Sequence, residues 1–401
     1  MKTAYIIDAV RTPIGKFGGA LSNSRVDDLG ALVIKELMKR NPNVPKDVIE
    51  EVIMGCANQA GEDNRNVARM SLLLAGLPYS VPGETINRLC ASGMSSVVQG
   101  SRIIMLGEAE IIVAGGMENM TRGPWVTSKA SKAFGRDVEM YDSSFGWRFI
   151  NPKLDEMYGT DGMGATAENL AKMYKITRKD QDKFAFNSQK KAAKAEAMGR
   201  FLSEIISVEI FQKNKENIIF SKDEFIKPNT SLDILGKLRT AFKKNGTVTA
   251  GNSSGLNDGA AAILLASKEA INKYQLKPLA KIVSSAVVGV EPRIMGIGPV
   301  KASKKALTKV GLKIDDMDII ELNEAFSAQS LACIREMGLK DNDPRINPNG
   351  GAIALGHPLG VSGTRIIQTA AVELQKTKKR YALCTMCIGV GQGYATVIER
   401  V

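Results

Sequence analysis

Short apolar runs alternate with amphipathic segments near both ends of the chain. In the first part the pattern predicts strands at 4–10 and 50–55 and helices at 27–40 and 66–74. The same rhythm returns later, with predicted strands at 280–290, 317–321 and 381–387 and a helix at 299–310. Strands that alternate with helices are typical of a parallel sheet covered on both faces. We therefore expect an α/β fold made of two halves.

A stretch of different texture separates these halves. It begins with a mixture of Gly, Ser and Lys that contains both tryptophans, continues through a helical pattern at 165–198, and includes a Lys-rich polar segment at 213–244. Long connections usually carry binding function. We predict three regions: an N-terminal half of residues 1–119 plus 250–275, an inserted loop domain at 120–249, and a C-terminal half at 276–401.

Composition narrows the possible partners of the chain. Its 401 residues include 54 Lys and Arg against 42 Asp and Glu, a net charge of +12, which favours an anionic substrate or partner. No Arg-rich helix or basic stripe interleaved with aromatic residues occurs, so nucleic acid is not expected. No apolar run reaches about 18 residues, and Asp8 and Arg11 interrupt the first one too early for a signal peptide. We expect a cytoplasmic protein that does not bind membranes.

The cysteine and histidine counts exclude other mechanisms. Five cysteines, an odd number, argue for a reducing compartment rather than a disulfide framework. A single histidine, His357, excludes a His-rich metal site. Cys384 and Cys387, at the end of what we predict to be the final strand, have the CxxC spacing of a redox pair or half a zinc site. No second pair completes a zinc site, and no helix start follows. Neither a metal nor a redox role is expected, and an acid/base role for Cys387 is favoured instead.

Two Gly-rich turns each lead into a helical pattern and carry a reactive side chain. Cys90 lies between a predicted strand and a helix that continues to residue 106. His357 lies in a Gly-rich segment before a helix that continues to about residue 374. A helix N-terminus favours the thiolate, so Cys90 is a candidate nucleophile, and His357 is a candidate base. The alternatives are an inert buried cysteine and a solvated or core histidine.

Two further segments are polar where a core would be apolar. Asn323 follows an apolar run, which places it at the carboxyl end of a strand, where α/β sheets bind ligands. Residues 249–262 begin with the small residues of a close backbone approach, and we expect a helix to follow. The alternative for the second segment is a simple loop and helix cap.

Several separate motifs resemble the thiolase family, and the resemblance extends over essentially the whole chain. The motifs occur in the order of the family: Arg11-Thr-Pro-Ile-Gly, Asn87-Arg-Leu-Cys90, Gly115-Gly-Met-Glu-Asn-Met, Thr249-Ala-Gly-Asn-Ser-Ser-Gly, Asn323-Glu-Ala-Phe, Gly356-His-Pro-Leu-Gly and Cys387-Ile-Gly. The resemblance implies a five-layer α-β-α-β-α fold of two similar halves with an inserted loop domain, assembled as a homotetramer of tight dimers. It also implies an acyltransferase that uses coenzyme A as co-substrate, with no bound cofactor and no metal.

The resemblance assigns roles to five residues by their motifs. Cys90 is expected to be the nucleophile that accepts the acyl group, and Cys387 the acid/base at the substrate α-carbon. His357 is expected to be the base that activates Cys90 and later the coenzyme A thiol. Asn323, through a water, is expected to join His357 in stabilising the enolate oxygen of the thioester. The backbone N–H groups of Cys90 and Gly389 are expected to bind the other oxyanion.

By the same resemblance, five more residues are expected to bind substrate. Ser254, Phe242 and Phe326 line the tunnel for the pantetheine arm, Lys227 lies near the nucleotide end, and Met163 lies near the acyl group.

The acyl group is the least determined feature. Gly162 stands where the acetoacetyl-CoA branch of the family has histidine, which weakens that assignment. Four longer segments are similar to the branch that cleaves 3-oxoadipyl-CoA: residues 56–70, 145–152, 290–299 and 384–393. The substrate of that branch ends in a carboxylate, and Arg148 is our hypothesis for its partner. The alternatives are an acetoacetyl-CoA thiolase and a general 3-ketoacyl-CoA thiolase. Decarboxylating condensing enzymes fit less well, because most use two histidines and the others lack a second catalytic cysteine.

Overall fold

The computed structural model describes residues 2–213 and 216–401, which form fourteen strands and twelve α-helices. The strands are β1 (Tyr5–Arg11), β2 (Gly15–Lys16), β3 (Glu51–Gly55), β4 (Gly83–Ile86), β5 (Ile111–Asn119), β6 (Trp125–Thr127), β7 (Met140–Asp142), β8 (Val208–Ile210), β9 (Ile218–Phe220), β10 (Asn257–Ala266), β11 (Ala280–Gly289), β12 (Ile319–Leu322), β13 (Tyr381–Ile388) and β14 (Gln392–Arg400). The helices are α1 (Val26–Arg40), α2 (Val67–Leu74), α3 (Ser92–Leu106), α4 (Pro152–Tyr158), α5 (Met163–Met173), α6 (Arg178–Ala197), α7 (Leu232–Gly236), α8 (Lys268–Tyr274), α9 (Gly298–Thr308), α10 (Ser327–Glu336), α11 (Ala352–Leu355) and α12 (Leu359–Thr377).

The main strands are arranged in the same order in both halves. The full order is β12-β13-β14-β11-β1-β10-β5-β3-β4, so β1, β10, β5 and β3 correspond to β11, β14, β13 and β12. The halves meet where β1 pairs antiparallel with β11. Only β3 with β4, β3 with β5, and β12 with β13 run parallel. The expected parallel sheet is therefore wrong in part: the sheet is mixed, because short connections such as the turn between β13 and β14 require antiparallel neighbours.

Helices cover both faces of each half-sheet. α1 and α2 pack on the N-terminal strands, and α9 packs on the C-terminal strands, whose apolar cluster also includes residues of α10. α3 and α12 lie against each other between the two half-sheets. Three large apolar clusters fill the spaces between these layers. This is the expected five-layer α-β-α-β-α arrangement.

Local structure differs from the sequence-based expectation in three places. The helical pattern at 165–198 forms two helices, because Lys175 has a φ of +52° and Thr177 begins α6 with a capping box. The segment after Thr249 leads into strand β10 instead of a helix. Its Ala260, Ala261 and Ala262 are fully buried in a central strand, where packing on both faces overrides the helix preference of alanine. Cys387 lies on the penultimate strand, since β14 follows.

The inserted region lies between β5 and β10 and is attached by buried ion pairs. Arg11, on β1, is fully buried and forms salt bridges with Asp223 at 2.7 Å and Glu204 at 3.3 Å, both contributed by the insertion. The exact boundaries of the three regions stay a prediction. Within the described residues, no helix combines the length and the apolar character needed to cross a bilayer.

Candidate active site

A tight turn between β4 and α3 holds Cys90. A 3₁₀ turn, Leu89–Ala91, precedes α3, and Leu89 has a φ of +46°. The Asn87 side chain accepts the N–H of Leu89 at 2.9 Å, and the Ser92 hydroxyl donates to the Leu89 carbonyl at 2.6 Å. Two side chains therefore support this left-handed residue, which places Cys90 at the helix start as the sequence predicts.

The Cys90 sulfur lies near two backbone N–H groups, that of Gly389 and its own, and both favour the thiolate. Burial nevertheless raises the pKa of the thiol to about 11, because the loss of hydration outweighs the two donors. The expectation that the helix start favours the thiolate is therefore wrong for the resting protein. The resting side chain is a thiol, and a base must remove its proton.

A glycine and a side chain from the other half place His357. Gly356 has a φ of +105°, and a β-carbon on it would lie 2.6 Å from Asn257 Cγ. The freed space lets Asn257, at the start of β10, accept the His357 N–H at 2.9 Å. Any other residue at 356 would be strained and would displace Asn257.

Hydrogen bonds select the tautomer of His357. Its Nδ1 lies 2.6 Å from Ser362 Oγ, whose own proton is donated to the Pro358 carbonyl at 3.0 Å. Ser362 Oγ therefore accepts a hydrogen bond from Nδ1–H, and Nε2 carries no proton and keeps its lone pair. Burial, assisted by Arg365, lowers the pKa of His357 to about 4. The ring is neutral near pH 7 and is available as a base at Nε2.

Asn323 lies beside this nitrogen. It directly follows β12 and is fully buried, with its Nδ2 3.4 Å from His357 Nε2. Its Oδ1 has no hydrogen-bond partner among the described residues. A buried amide oxygen without a partner costs about 1 to 3 kcal/mol. Such an oxygen is suited to a water or substrate bound at the site.

Cys387, near the end of β13, and Gly389, directly after this strand, complete the group. Cys387 is 1% exposed, and burial together with the neighbouring Cys90 and Cys333 raises its pKa well above the usual value. It is therefore a proton donor. A β-carbon on Gly389 would lie 3.3 Å from Leu89 Cδ1 and 3.7 Å from Met163 Sδ. The structure thus brings Cys90, Cys387, Gly389 and Met163 together.

Glycines let the helices of the two halves meet at their first turns. A β-carbon on Gly93 of α3 would lie 2.4 Å from the Gly360 oxygen, and one on Gly363 of α12 would lie 2.3 Å from the Met94 nitrogen. Neither position tolerates a side chain. This close crossing brings the Cys90 turn and the His357 loop to the same place between the half-sheets.

Three of the residues expected to bind coenzyme A lie in one neighbourhood. The Phe242 and Phe326 rings contact edge to face, with centroids 6.0 Å apart. Ser254 donates its N–H to the Ala325 carbonyl at 2.9 Å, next to Phe326. Gly164, in the first turn of α5, packs under the Phe242 ring. The aromatic pair therefore lies near Met163, which in turn lies beside Gly389.

Lys227 lies on the insertion, and no contact in the described residues joins it to the catalytic group. Its N–H donates to Gln189 Oε1 at 2.7 Å, and its Nζ lies 3.9 Å from the centre of the Phe225 ring. Burial and the nearby Lys16 lower its pKa. Its expected place near the nucleotide stays a prediction.

Arg148 lies in the loop between β7 and α4, in the inserted region. It is half-buried and donates to the Ser143 carbonyl at 3.1 Å. Its neighbour Trp147 donates to the Asp161 carbonyl at 3.4 Å, two residues before Met163. Within the described residues, no carboxylate forms a salt bridge with Arg148. Its guanidinium therefore has unused donors near α5.

Sequence reasoning missed Asn257, Ser362 and Glu118, which hold the reactive groups in place. Ser362 lies one helical turn beyond His357 in the same Gly-rich segment, and Glu118 belongs to the motif at 115–120. A carboxylate at the end of an otherwise apolar strand is the signal that could have identified Glu118.

This geometry agrees with the comparisons with known proteins. Two family models match, "Thiolase, N-terminal domain" over residues 4–269 and "Thiolase, C-terminal domain" over residues 276–400. The chain belongs to the thiolase family.

Similar proteins cover the whole length of the chain. It is 56% identical over 401 residues to the beta-ketoadipyl-CoA thiolase of Acinetobacter baylyi, with 100% of both chains covered. It is 54% identical over 403 residues to the 3-oxoadipyl-CoA/3-oxo-5,6-dehydrosuberyl-CoA thiolase of Escherichia coli, again with 100% of both covered. The crystal structure of human mitochondrial 3-ketoacyl-CoA thiolase in complex with CoA superposes with a TM-score of 0.92 at 40% identity, covering 100% of this chain and 98% of that one.

Proposed function

We propose that this chain is a 3-oxoadipyl-CoA thiolase, which cleaves its substrate with coenzyme A to succinyl-CoA and acetyl-CoA. One observation carries the proposal: the Cys90 sulfur lies near the backbone N–H of Gly389 and near a second buried cysteine, in a site that also holds a neutral histidine with its proton on Nδ1. A nucleophile, a base, an acid and oxyanion donors are the groups that thiolysis requires.

The first step forms the acyl-enzyme. His357 Nε2 takes the Cys90 proton while the sulfur attacks the ketone carbon, C3, of the substrate. The backbone N–H groups of Cys90 and Gly389, which meet at the sulfur in the resting site, are placed to bind the resulting oxyanion. The C2–C3 bond then breaks, which leaves a succinyl thioester on Cys90 and the enolate of acetyl-CoA.

Protonation of the enolate and transfer to coenzyme A complete the cycle. Cys387 gives its proton to C2, and Asn323 with His357 stabilises the enolate oxygen. The proton that His357 took from Cys90 passes to the Cys387 thiolate, and His357 then takes the proton of the incoming coenzyme A thiol. The coenzyme A thiolate attacks the succinyl thioester, and Cys90 leaves as a thiolate and regains a proton from His357. Coenzyme A serves as co-substrate, and each step uses the chain's own residues. The reverse sequence is a Claisen condensation.

The dicarboxylic substrate is supported by the relatives named above and by the position of Arg148. A carboxylate brought into a buried site needs a cation or hydrogen-bond donors. The loop that carries Arg148 reaches α5 through Trp147, and α5 begins at Met163, beside Gly389. Arg148 is therefore our candidate partner for the terminal carboxylate.

A substrate panel tests the proposed function. The purified protein is assayed with acetoacetyl-CoA, a longer 3-oxoacyl-CoA and 3-oxoadipyl-CoA, and kcat/KM is compared. We expect the highest value for 3-oxoadipyl-CoA. Preference for acetoacetyl-CoA or for the longer chain would select one of the two alternative thiolases. Dependence on a malonyl donor would show a decarboxylating condensation and would contradict the proposed thiolase activity.

The role of Arg148 is tested by Arg148→Gln. A charge-assisted hydrogen bond contributes about 1.5 to 3 kcal/mol, so kcat/KM for 3-oxoadipyl-CoA should fall about 10- to 100-fold, while acetoacetyl-CoA is cleaved as before. Arg136→Gln, which removes an exposed arginine of the same insertion, is the matched control. Equal losses for both substrates would show that Arg148 does not recognise the carboxylate.

The proposal includes a cytoplasmic homotetramer. The hairpin of β6 and β7 carries Trp125, 67% exposed, and Met140, 61% exposed, and β4 forms an unpaired edge of the sheet in the single chain. Exposed apolar side chains and open sheet edges are typical of interfaces between subunits. Light scattering after size-exclusion chromatography measures the mass, and a monomer would contradict this part of the proposal.

A further inference from the structure

A buried carboxylate joins the two halves beside the catalytic group. Glu118, near the end of β5, is 1% exposed. Its Oε2 accepts the N–H groups of Ala57 at 2.9 Å and Gly360 at 2.8 Å, and its Oε1 accepts that of Asn58 at 3.0 Å. Ala57 and Asn58 follow β3 in the N-terminal half, whereas Gly360 lies in the first turn of α12. One carboxylate therefore binds main chain from both halves.

Each of these contacts leads to a reactive side chain. The Ala57 carbonyl accepts a hydrogen bond from Asn87 Nδ2 at 3.1 Å, and Asn87 Oδ1 accepts one from the N–H of Leu89, the residue before Cys90. On the other side, Gly360 is three residues beyond His357. Two hydrogen-bonded connections therefore run from Glu118, one to the nucleophile and one to the base.

We infer that Glu118 is a positioning residue, which holds the Cys90 turn and the His357 loop in register for proton transfer between them. The inference rests on the proposed acyl transfer at Cys90. Among the described residues, Glu118 has no hydrogen bond to Cys90, His357 or Cys387; it acts through Ala57, Asn87 and Gly360. An ionised carboxylate accepts hydrogen bonds at both oxygens, and all three of its backbone partners are donors. The negative charge is therefore part of the positioning.

The surroundings of Glu118 make its charge sensitive to pH. Cys56 Sγ lies 4.0 Å from Glu118 Oε1 and 3.8 Å from Asp63 Oδ2, and Cys90 also faces this group. Burial raises the pKa of Glu118 to about 7, although three N–H groups oppose the shift. Protonation turns one accepting oxygen into a donor, which weakens the hold on the backbone. The positioning should therefore weaken as the pH falls below about 7.

The test replaces Glu118 by glutamine, which keeps the shape and removes the charge. Two properties are measured: the rate at which iodoacetamide alkylates Cys90, which needs no substrate, and the steady-state constants for thiolysis. A displacement of about 1 Å between reacting groups costs about 10²-fold in rate, so we expect Glu118→Gln to lower kcat by about that factor. The KM for coenzyme A should change little, and Cys90 should be alkylated more slowly than in the wild type at pH 7.

Glu168→Gln is the matched control. Glu168 is also buried and accepts backbone N–H groups, from Thr247 at 2.7 Å and Val248 at 2.8 Å. This variant should lose stability without slowing the alkylation of folded protein. Glu118→Asp keeps the charge on a shorter side chain and gives a second test if Glu118→Gln does not fold. It should recover part of kcat at pH 8 and lose it below pH 7.

Separate outcomes distinguish this inference from the proposed function. Folded Glu118→Gln with wild-type kcat and wild-type alkylation would overturn the positioning role. A wild-type protein that cleaves no 3-oxoacyl-CoA would overturn the proposed function. In that case the alkylation rates would still decide whether Glu118 controls the reactivity of Cys90.

Discussion

The two halves have the same strand order but hold their reactive side chains differently. In the N-terminal half, Cys90 retains partial solvent exposure and lies in a tight turn that the side chains of Asn87 and Ser92 support. In the C-terminal half, His357 is only 5% exposed and is held by Asn257 at its backbone N–H and by Ser362 at Nδ1. A nucleophile must meet its substrate, whereas a base needs one nitrogen free and the other bonded. The same arrangement of elements therefore provides exposure in one half and a fixed tautomer in the other.

The sharpest test of this comparison separates the two reactions of the site. His357→Ala removes the base that Cys90 requires, so both carbon–carbon cleavage and exchange of the acyl group between succinyl-CoA and coenzyme A should fall by about 10⁴-fold. Cys387→Ala removes only the proton donor for the enolate. Cleavage should fall by a similar factor while acyl exchange continues. Exchange is followed with isotopically labelled coenzyme A, and cleavage by the loss of the 3-oxoacyl-CoA absorbance.

Cys90→Ala is the control for both measurements, because no acyl-enzyme can form without the sulfur. If Cys387→Ala abolished acyl exchange as well, the assignment of acid/base work to Cys387 would be wrong. If exchange survived in His357→Ala, another group would have to deprotonate Cys90, and the contrast between the halves would fail.

The next largest effect is expected at the backbone N–H of Gly389, which belongs to the C-terminal half and lies near the Cys90 sulfur of the N-terminal half. Gly389→Pro removes one of the two N–H donors, and loss of an oxyanion donor typically costs about 10²- to 10³-fold in kcat. Gly389→Ala keeps the N–H, and its β-carbon would lie 3.3 Å from the end of the flexible Leu89 side chain, so kcat should stay close to that of the wild type. Both variants are assayed with 3-oxoadipyl-CoA after a circular-dichroism check of folding. Equal losses would point to a steric cause.

The sequence predicted the position of a reactive residue where one short segment contains both that residue and the strand or helix boundary beside it. Cys90 at a strand-to-helix turn and Asn323 at a strand end both lie where the pattern predicts them. The pKa of Cys90 was predicted in the wrong direction, because the helix start is visible in the sequence whereas the apolar surroundings come from distant segments. The roles of Asn257 and Glu118 depend on contacts across 100 residues or more, which no local pattern contains. The break between α5 and α6 has a local signal, the Thr177 cap, that the longer helical pattern obscured.

The smallest effect is a difference in how pH acts on stability in the two halves. Burial lowers the pKa of His357 to about 4, against about 6.5 in an unfolded chain. Between these values the unfolded state binds a proton that the native state does not, so stability should fall as the pH falls, by about 2 kcal/mol at pH 5. Cys90 acts in the opposite direction. Its pKa is raised to about 11, so its contribution is lost as the pH rises from about 9 through 11.

His357→Gln isolates the acid side of this difference. Urea unfolding at pH 7 and pH 5 gives the free energy of unfolding of wild type and variant. The variant should lose about 2 kcal/mol less than the wild type between these two pH values, because glutamine does not titrate. At alkaline pH the two proteins should lose stability in parallel, since Cys90 is unchanged. Equal losses on the acid side would mean that His357 is already protonated in the native protein at pH 5, and Nε2 would then not be the free base that the hydrogen bonds indicate.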